Sequence, residues 1–343
     1  MARLVGLDIG STTIKVVEIE NSGNSHHLIT AGLSATPPRG LLSEATFDQV
    51  AMAEAIKKTF ADARIASKSV NIALPESMVY TRVVEMPVLS EKELASAIRW
   101  EAEQYIPLPL SDAVLDYQIM DKPTKTPGSK MEVFLVAAPN SLVGKFQKIA
   151  QLAGIDLVSI ETEALALVRS IMENNNPNAP VTLLVNMSAE TTSLCIAKGT
   201  SVILTYVIPS GSKAFTRALS ADLGIDQMQA EEYKKTYGLK KEVLSGKVGS
   251  TFKPILDNIL SELKRTVSFY QSKNQDMDPI RRVILVGGTA KMPGLAVYIA
   301  EELGIETQIG DPWQKVSGAE RLQSLPYDPI LFAQAVGLAL KPL

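Results

Sequence analysis

Three short stretches carry the residue types that could do chemistry. In the first, Leu4-Val5-Gly6-Leu7-Asp8-Ile9-Gly10-Ser11-Thr12-Thr13-Ile14-Lys15-Val16-Val17, an apolar run ends at Asp8 and β-branched residues resume at Ile14. That is a strand, a tight turn and a second strand. Gly10 lets the backbone bend and approach a ligand closely. Ser11, Thr12 and Thr13 place hydroxyls and backbone N–H groups around the turn, and Lys15 follows on the second strand. Backbone N–H groups at such a turn make an anion hole, and the carboxylate of Asp8 beside it could hold a divalent cation through water. The chemistry is that of a phosphate with magnesium. Taken alone, the same residues would also make an ordinary polar hairpin.

The pattern returns in the second half. Leu183-Leu184-Val185-Asn186-Met187-Ser188-Ala189-Glu190-Thr191-Thr192-Ser193 places Asn186, Ser188 and Thr191 in the register of Asp8, Gly10 and Thr13. A repeated hairpin implies two like domains holding one ligand between them. The third stretch, Arg282-Val283-Ile284-Leu285-Val286-Gly287-Gly288-Thr289-Ala290-Lys291-Met292-Pro293-Gly294-Leu295, reads as a buried strand, a double glycine and a helix. Gly287 and Gly288 remove side chains where a flat ring or a phosphate must approach, with Thr289 beside them.

Hairpin, hairpin and Gly-Gly turn in this order resemble the actin-like ATPase superfamily. Ala230-Glu231-Glu232-Tyr233-Lys234 resembles the Ala-Glu-x-x-Lys helix of FtsA and its relatives, which implies that Glu231 and Lys234 approach ribose and adenine. Trp100-Glu101-Ala102-Glu103-Gln104-Tyr105-Ile106-Pro107 resembles a Glu…Tyr-Ile-Pro stretch of the PilM family of type IV pilus assembly. The resemblance covers nearly the whole chain. It implies ATP and Mg as ligands, with Asp8 the magnesium residue. Gly211, in Ser210-Gly211-Ser212, stands where the family has a Gly-Gly turn against phosphate or ribose, and Glu161 where an acid leading the connecting helix positions the attacking water. Asn186 replaces the usual second aspartate, and a neutral amide cannot bind a cation as a carboxylate does. Hydrolysis is therefore expected to be weak or absent.

These residues need a scaffold. The sequence has 343 residues, 46% of them hydrophobic, enough for two or three domains. Strands are expected over 3–34, a helix over 47–64 and a strand over 70–74. A module follows: a strand over 78–85, a helix capped by Ser90 and Glu93 and running to Tyr105, strands over 115–120 and 132–137, and a helix over 141–153. A strand over 157–160 leads to a helix over 162–173, and a turn-rich segment over 174–180 marks the domain boundary. The expected fold is α/β: an actin-like ATPase fold with two RNase H-like domains and a small α/β module inserted in the first. The first domain takes 1–76, 156–176 and 326–343, the module 77–155 and the second domain 177–325.

The remaining features bound the partners. Thirty-four basic and 37 acidic residues give a net charge of −3, which offers no electrostatic case for nucleic acid. The one cysteine, Cys195, cannot form an intramolecular disulfide and fits a reducing compartment. No signal-peptide pattern opens the sequence, no apolar run approaches the ~20 residues of a membrane helix, and the last residues are not a basic amphipathic anchor. The resemblance implies a cytoplasmic protein, peripheral at the inner membrane through a partner. That partner is the tail of a PilN-like single-pass membrane protein, alongside other pilus assembly proteins and self-association. The tail is expected in a groove between the module and the first domain. Trp100 lies off the apolar stripe of its helix, so it either packs on the neighbouring domain or anchors a partner. An FtsA-like polymerising protein and a small-molecule kinase are the competing readings. A kinase needs an aspartate base in the cleft, and the module has no evident one.

Overall fold

The structure, a computed structural model, describes residues 2–23, 25–121, 129–173, 178–273, 278–324 and 327–342. Residues 122–128, between the strands expected over 115–120 and 132–137, and most of the expected boundary segment over 174–180 lie outside the described residues.

The first half opens with strands β1 (Ala2–Ile9), β2 (Thr13–Ser22) and β3 (Ser25–Ala35), helix α1 (Thr46–Asp62) and strand β4 (Ser69–Leu74). Strand β5 (Tyr80–Pro87), helix α2 (Glu91–Tyr105) and strands β6 (Ala113–Asp121) and β7 (Lys130–Pro139) form the inserted unit. Helix α3 (Asn140–Ala153) and strand β8 (Asp156–Thr162) return to the first sheet, and helix α4 (Glu163–Ile171) leaves it. The second half has strands β9 (Val181–Met187), β10 (Thr192–Lys198) and β11 (Ser201–Ile208), then helices α5 (Ser212–Leu223), α6 (Gln227–Tyr237) and α7 (Lys247–Lys273). Strand β12 (Ile280–Val286), helix α8 (Leu295–Leu303), strand β13 (Glu306–Ile309) and helix α9 (Ala333–Ala339) complete it.

The two large sheets share one topology. Their strand orders are β3-β2-β1-β4-β8 and β11-β10-β9-β12-β13. In each, an antiparallel meander of three strands is extended by two parallel strands on the far side of the first. Parallel neighbours need a crossover, and α3 and α8 supply it between β4 and β8 and between β12 and β13. β1 and β9 are central and buried on both faces, which explains their near-continuous apolar runs.

The role of α3 differs from the expectation that it closes the module. Its Leu142, Phe146 and Ile149 share one core with Val5, Ile14, Met52 and Ile56 of the first domain. The buried Lys145 donates to the carbonyl of Leu41 and pairs with Glu44, both outside the module. The inserted unit is the sheet β5-β7-β6 with α2, whose own core is built on Val84, Met86, Leu94, Ile98, Met131, Val133 and Leu135. The Ser90–Glu93 capping box starts α2 as the sequence predicts.

The connectors are exchanged between halves. α4 follows the first sheet but packs its Leu167, Val168 and Ile171 on Leu184, Ile284 and Val286 of the second. α9 follows the second sheet but packs Ala335, Val336 and Ala339 on Val17, Ile19 and Leu28 of the first. The two helices cross at Gly337, where a Cβ would collide with the backbone carbonyl of Ala166. Side chains satisfy the last carbonyls of α9: Arg169 donates to Gly337, Asn71 to Leu338 and Asn21 to Ala339, at 2.7, 2.9 and 3.1 Å.

Candidate functional site

The two hairpins face each other across a cleft of about 620 Å³ between the halves, inside the range of small-molecule sites. Each turn is closed by the same hydrogen bond, Gly10 N–H to the Thr13 carbonyl and Ser188 N–H to the Thr191 carbonyl, both 2.9 Å. The register read from sequence is therefore the register of the backbone. Thr36 pins the first turn, its hydroxyl donating to the Gly10 carbonyl and its N–H to that of Thr12. The N-terminus of α5 pins the second, with the N–H groups of Ser212 and Lys213 donating to the carbonyls of Ser188 and Ala189.

Gly211 makes that docking possible. A Cβ there would lie 2.6 Å from both the Ser188 carbonyl oxygen and the Thr191 nitrogen. Gly211 and Thr191 do not line the cavity themselves. They hold the second turn, and Ser212 reaches the cleft in their place.

Asp8, Gly10, Ser11, Thr12, Thr13 and Lys15 line one wall. Lys15 Nζ donates to Asp8 Oδ2 at 2.7 Å, and both side chains are largely buried. The pair follows from the ladder, which places Asp8 directly opposite Lys15. Asn186 and Ser188 line the opposite wall, with Asn186 Nδ2 donating to Ser188 Oγ at 3.3 Å.

Glu231 and Lys234 close the cleft on the second-domain side. Lys234 is only 3% exposed, and Nζ donates to Glu231, to the carbonyl and hydroxyl oxygens of Ser212, and to Thr216. Burial pushes its pKa below the usual lysine value, against the pull of Glu231. Gly287, at φ +85°, turns the chain where a Cβ would meet the Met187 carbonyl oxygen at 2.6 Å. Gly288 and Thr289 follow on the cavity wall, and Thr289 Oγ1 is buried with no hydrogen-bond partner.

Glu161 is not in the cleft. It stays on β8, paired with Ala73 of β4, and its two oxygens accept from Arg169 at 2.6 and 2.9 Å. Lys341 lies 3.2 Å from it. Glu161 orients the arginine that caps α9, a structural task. The acid leading the connecting helix is Glu163, which lines the cavity. Burial and the nearby Asp8 carboxylate raise its pKa from 4.5 to about 8, against the hydrogen bond it accepts from the Glu76 backbone N–H. Thr162 carried the missed signal: its hydroxyl accepts from the Leu165 N–H as an N-cap, which starts the helix at 163.

Trp100 is 75% exposed, so it does not pack on a neighbouring domain. A groove of about 340 Å³ lies elsewhere at the inserted unit, where Val79 to Arg82 of the β5 stretch and Tyr105 and Ile106 at the end of α2 face Thr205 to Val207 of β11. Its far wall is thus the edge strand of the second domain. Among the described residues no helix is long and apolar enough to cross a membrane, and no cluster of three or more His, Cys, Asp or Glu could hold a metal on its own.

Comparison with known proteins agrees with this architecture. FtsA of Pseudomonas aeruginosa is 27% identical over 378 residues, covering 98% of this chain and 88% of the relative. FtsA of Streptococcus pneumoniae is 23% identical, covering 90% and 75%. Among solved structures, a PilM-PilN type IV pilus biogenesis complex matches with TM-score 0.82 and 29% identity over 99% of both chains. MreB5 of Spiroplasma citri bound to ADP matches at TM-score 0.52 and 15% identity, a likeness of fold. The family model for type IV pilus assembly protein PilM matches residues 6–343, and with the shared actin-like fold this shows that the chain belongs to that family.

Proposed function

We propose that this protein binds ATP in the interdomain cleft and, at its inserted unit, the cytoplasmic tail of a PilN-like single-pass membrane protein, with the nucleotide setting the affinity for the tail. The observation that carries the nucleotide reading is the pair of hairpins, closed by identical hydrogen bonds and facing each other across one cavity beside the Gly287–Gly288 turn. The cavity has room for a nucleotide, and the unpartnered Thr289 hydroxyl offers it a hydrogen bond. Asp8, Gly10, Ser11, Thr12, Thr13 and Lys15 would hold the terminal phosphates with Asn186 and Ser188. Glu231, Lys234, Gly287, Gly288 and Thr289 would hold the nucleoside. Magnesium would arrive with the phosphates, neutralising their charge, with Asp8 its protein ligand through water.

Two features support slow hydrolysis. Asn186 contributes no charge where Asp8 has its counterpart. Glu163, the acid that would orient the attacking water, holds its proton up to about pH 8 and is a poor acceptor at neutral pH. The partner reading rests on family membership and on the PilM-PilN complex among the structural relatives. Trp100 is the proposed aromatic anchor, and the protein would sit in the cytoplasm at the inner membrane through that partner.

Calorimetry of the folded protein with ATP, with and without magnesium, tests the first half. A fluorescent peptide of the PilN-like tail, titrated at saturating and zero ATP, tests the second, with Trp100→Ala expected to weaken the peptide by upwards of ~1 kcal/mol. No heat with ATP would overturn the nucleotide reading, and equal peptide affinity in both conditions would overturn the dependence on it.

A further inference from the structure

The cleft and the groove are joined by a short run of polar contacts. Glu163 faces the cleft, and its Oε2 accepts a hydrogen bond from the backbone N–H of Glu76 at 3.2 Å. In return, Glu76 Oε2 accepts from the N–H of Ala164, in the first turn of α4, at 3.3 Å. Glu76 opens the turn Glu76–Met78 from which β5 springs, so the root of the inserted unit is clasped to the start of the connecting helix from both sides. The other oxygen, Oε1, accepts from the hydroxyl of Thr81 on β5 at 3.1 Å. Thr81 Oγ1 in turn meets Thr205 Oγ1 on β11 of the second domain. Glu76, Thr81 and Thr205 all line the groove.

These contacts are costly to leave unmade. Glu76 is 5% exposed, and a buried carboxyl that loses its donors has no water to replace them. The run therefore has a satisfied arrangement, and a shift at one end obliges the other to move. Phe134 of β7 ties the same region to the second domain from beneath, packed in one cluster with Leu167 of α4 and Leu184 of β9.

We propose that Glu76 is a positioning residue that couples the cleft to the groove, transmitting occupancy of the cleft through Glu163 to the contact between β5 and β11. This rests on the nucleotide reading given above. A polyphosphate beside Asp8 and Lys15 brings acceptor oxygens to Glu163, whose carboxyl lines the cleft, keeps its proton at neutral pH and can donate to them. Glu163 turns toward the phosphate and releases the Glu76 N–H. The turn Glu76–Met78 then shifts with its carboxylate, and the Thr81–Thr205 contact is remade in a new position. The groove changes width because its two walls are the strands this contact joins.

Hydrogen exchange of the full-length protein tests this without a partner. The probe is AMPPNP with magnesium, and the readout is exchange over 76–87 and 201–208 beside exchange over the hairpins 10–13 and 186–191. In the wild type, nucleotide should protect the hairpins and alter exchange in the two groove strands by at least about five-fold, the lower end of ordinary coupling. Thr81→Val, close in shape, removes the link and should abolish the change in the groove strands while the hairpins remain protected. Glu76→Ala should do the same. Glu76→Gln should restore the response, because its amide oxygen can accept from Ala164 and its NH2 can donate to Thr81. Thr81→Val decides the matter if Glu76→Ala does not fold. An unchanged groove response in Thr81→Val, or a wild type whose hairpins are protected while the groove strands do not respond, would overturn the proposal. Hairpins left unprotected in the wild type would instead refute the nucleotide reading, and the proposal with it.

Discussion

Replacing Glu163 by Gln removes a cleft carboxyl whose ionisation the fold opposes. In the native protein this carboxyl keeps its proton up to about pH 8, against 4.5 for the ordinary group. Between those values the folded state binds more protons than the unfolded chain, so unfolding free energy falls as pH rises. The contribution is fully present below pH 4.5 and is lost by the time pH passes 8. A shift of this size corresponds to about 5 kcal/mol at 1.36 kcal/mol per pH unit. Glu163 faces an open cleft, so solvent screening brings the expected loss down to about 1–3 kcal/mol. Gln is nearly isosteric, and its amide oxygen can still accept from the Glu76 N–H.

Urea unfolding of wild type and Glu163→Gln at intervals from pH 5 to pH 8.5 measures the effect. Wild type should lose stability relative to the variant across this window, and the variant should be the more stable by about 1–3 kcal/mol at the upper end. Glu76, whose pKa burial also raises, is present in both proteins, so the difference between the curves reports on Glu163. Parallel curves would refute the argument, and with it the account of Glu163 as a protonated acid at neutral pH.

Three further outcomes follow from the cleft and its hinge. Gly288→Asp should fold, since its Cβ meets only the tip of Leu331 at 3.2 Å, yet weaken ATP in calorimetry by more than about ten-fold through bulk and like charge. Asn186→Asp should raise phosphate release measured at saturating ATP, and the idea fails if the wild type already turns over near the ~10 per second typical of enzymes. Gly337→Ala should lower stability by about 1–3 kcal/mol or more in thermal or urea unfolding, because its Cβ would meet the rigid Ala166 carbonyl of α4; an unchanged midpoint would show that the helices separate freely.

The hairpins were legible because their grammar is local. An apolar run ending in Asp or Asn, with a small residue two positions on and Thr three after that, fixes a turn with little help from elsewhere, and both turns close with the same bond in that register. The capping box of α2 is local in the same way. What escaped was set by long-range pairing. Glu161 was misplaced because β8 follows β4 as far as the Leu74–Thr162 pair, two residues beyond the point where its apolar pattern ends. The allegiance of α3 was hidden because one amphipathic face could cover either sheet. Only the parallel β4–β8 pairing, which demands a crossover helix, decides it. The wall that β11 gives to the groove comes from the approach of two edge strands far apart in sequence, a pairing without local signature.

The exchange of α4 and α9 between halves determines which motions the cleft can use. Each connector belongs by sequence to one sheet and by packing to the other, so separating the halves would expose the apolar surface of both helices at once. Their crossing at Gly337 leaves no space for a side chain, and Glu161, Arg169 and Lys341 lock the end of α9 where it passes the first sheet. Such a joint resists translation and tolerates a small rotation about the crossing point. Rotation moves little at the axis and most at the periphery, and the polar contact between β5 and β11 joins the edge strands of two sheets. The apolar joint therefore keeps the halves together, and the polar run from Glu163 to Thr205, made of hydrogen bonds, is a part of the interface able to exchange partners. A nucleotide that rotates the second domain by a few degrees would be felt at the inserted unit before it disturbed either core.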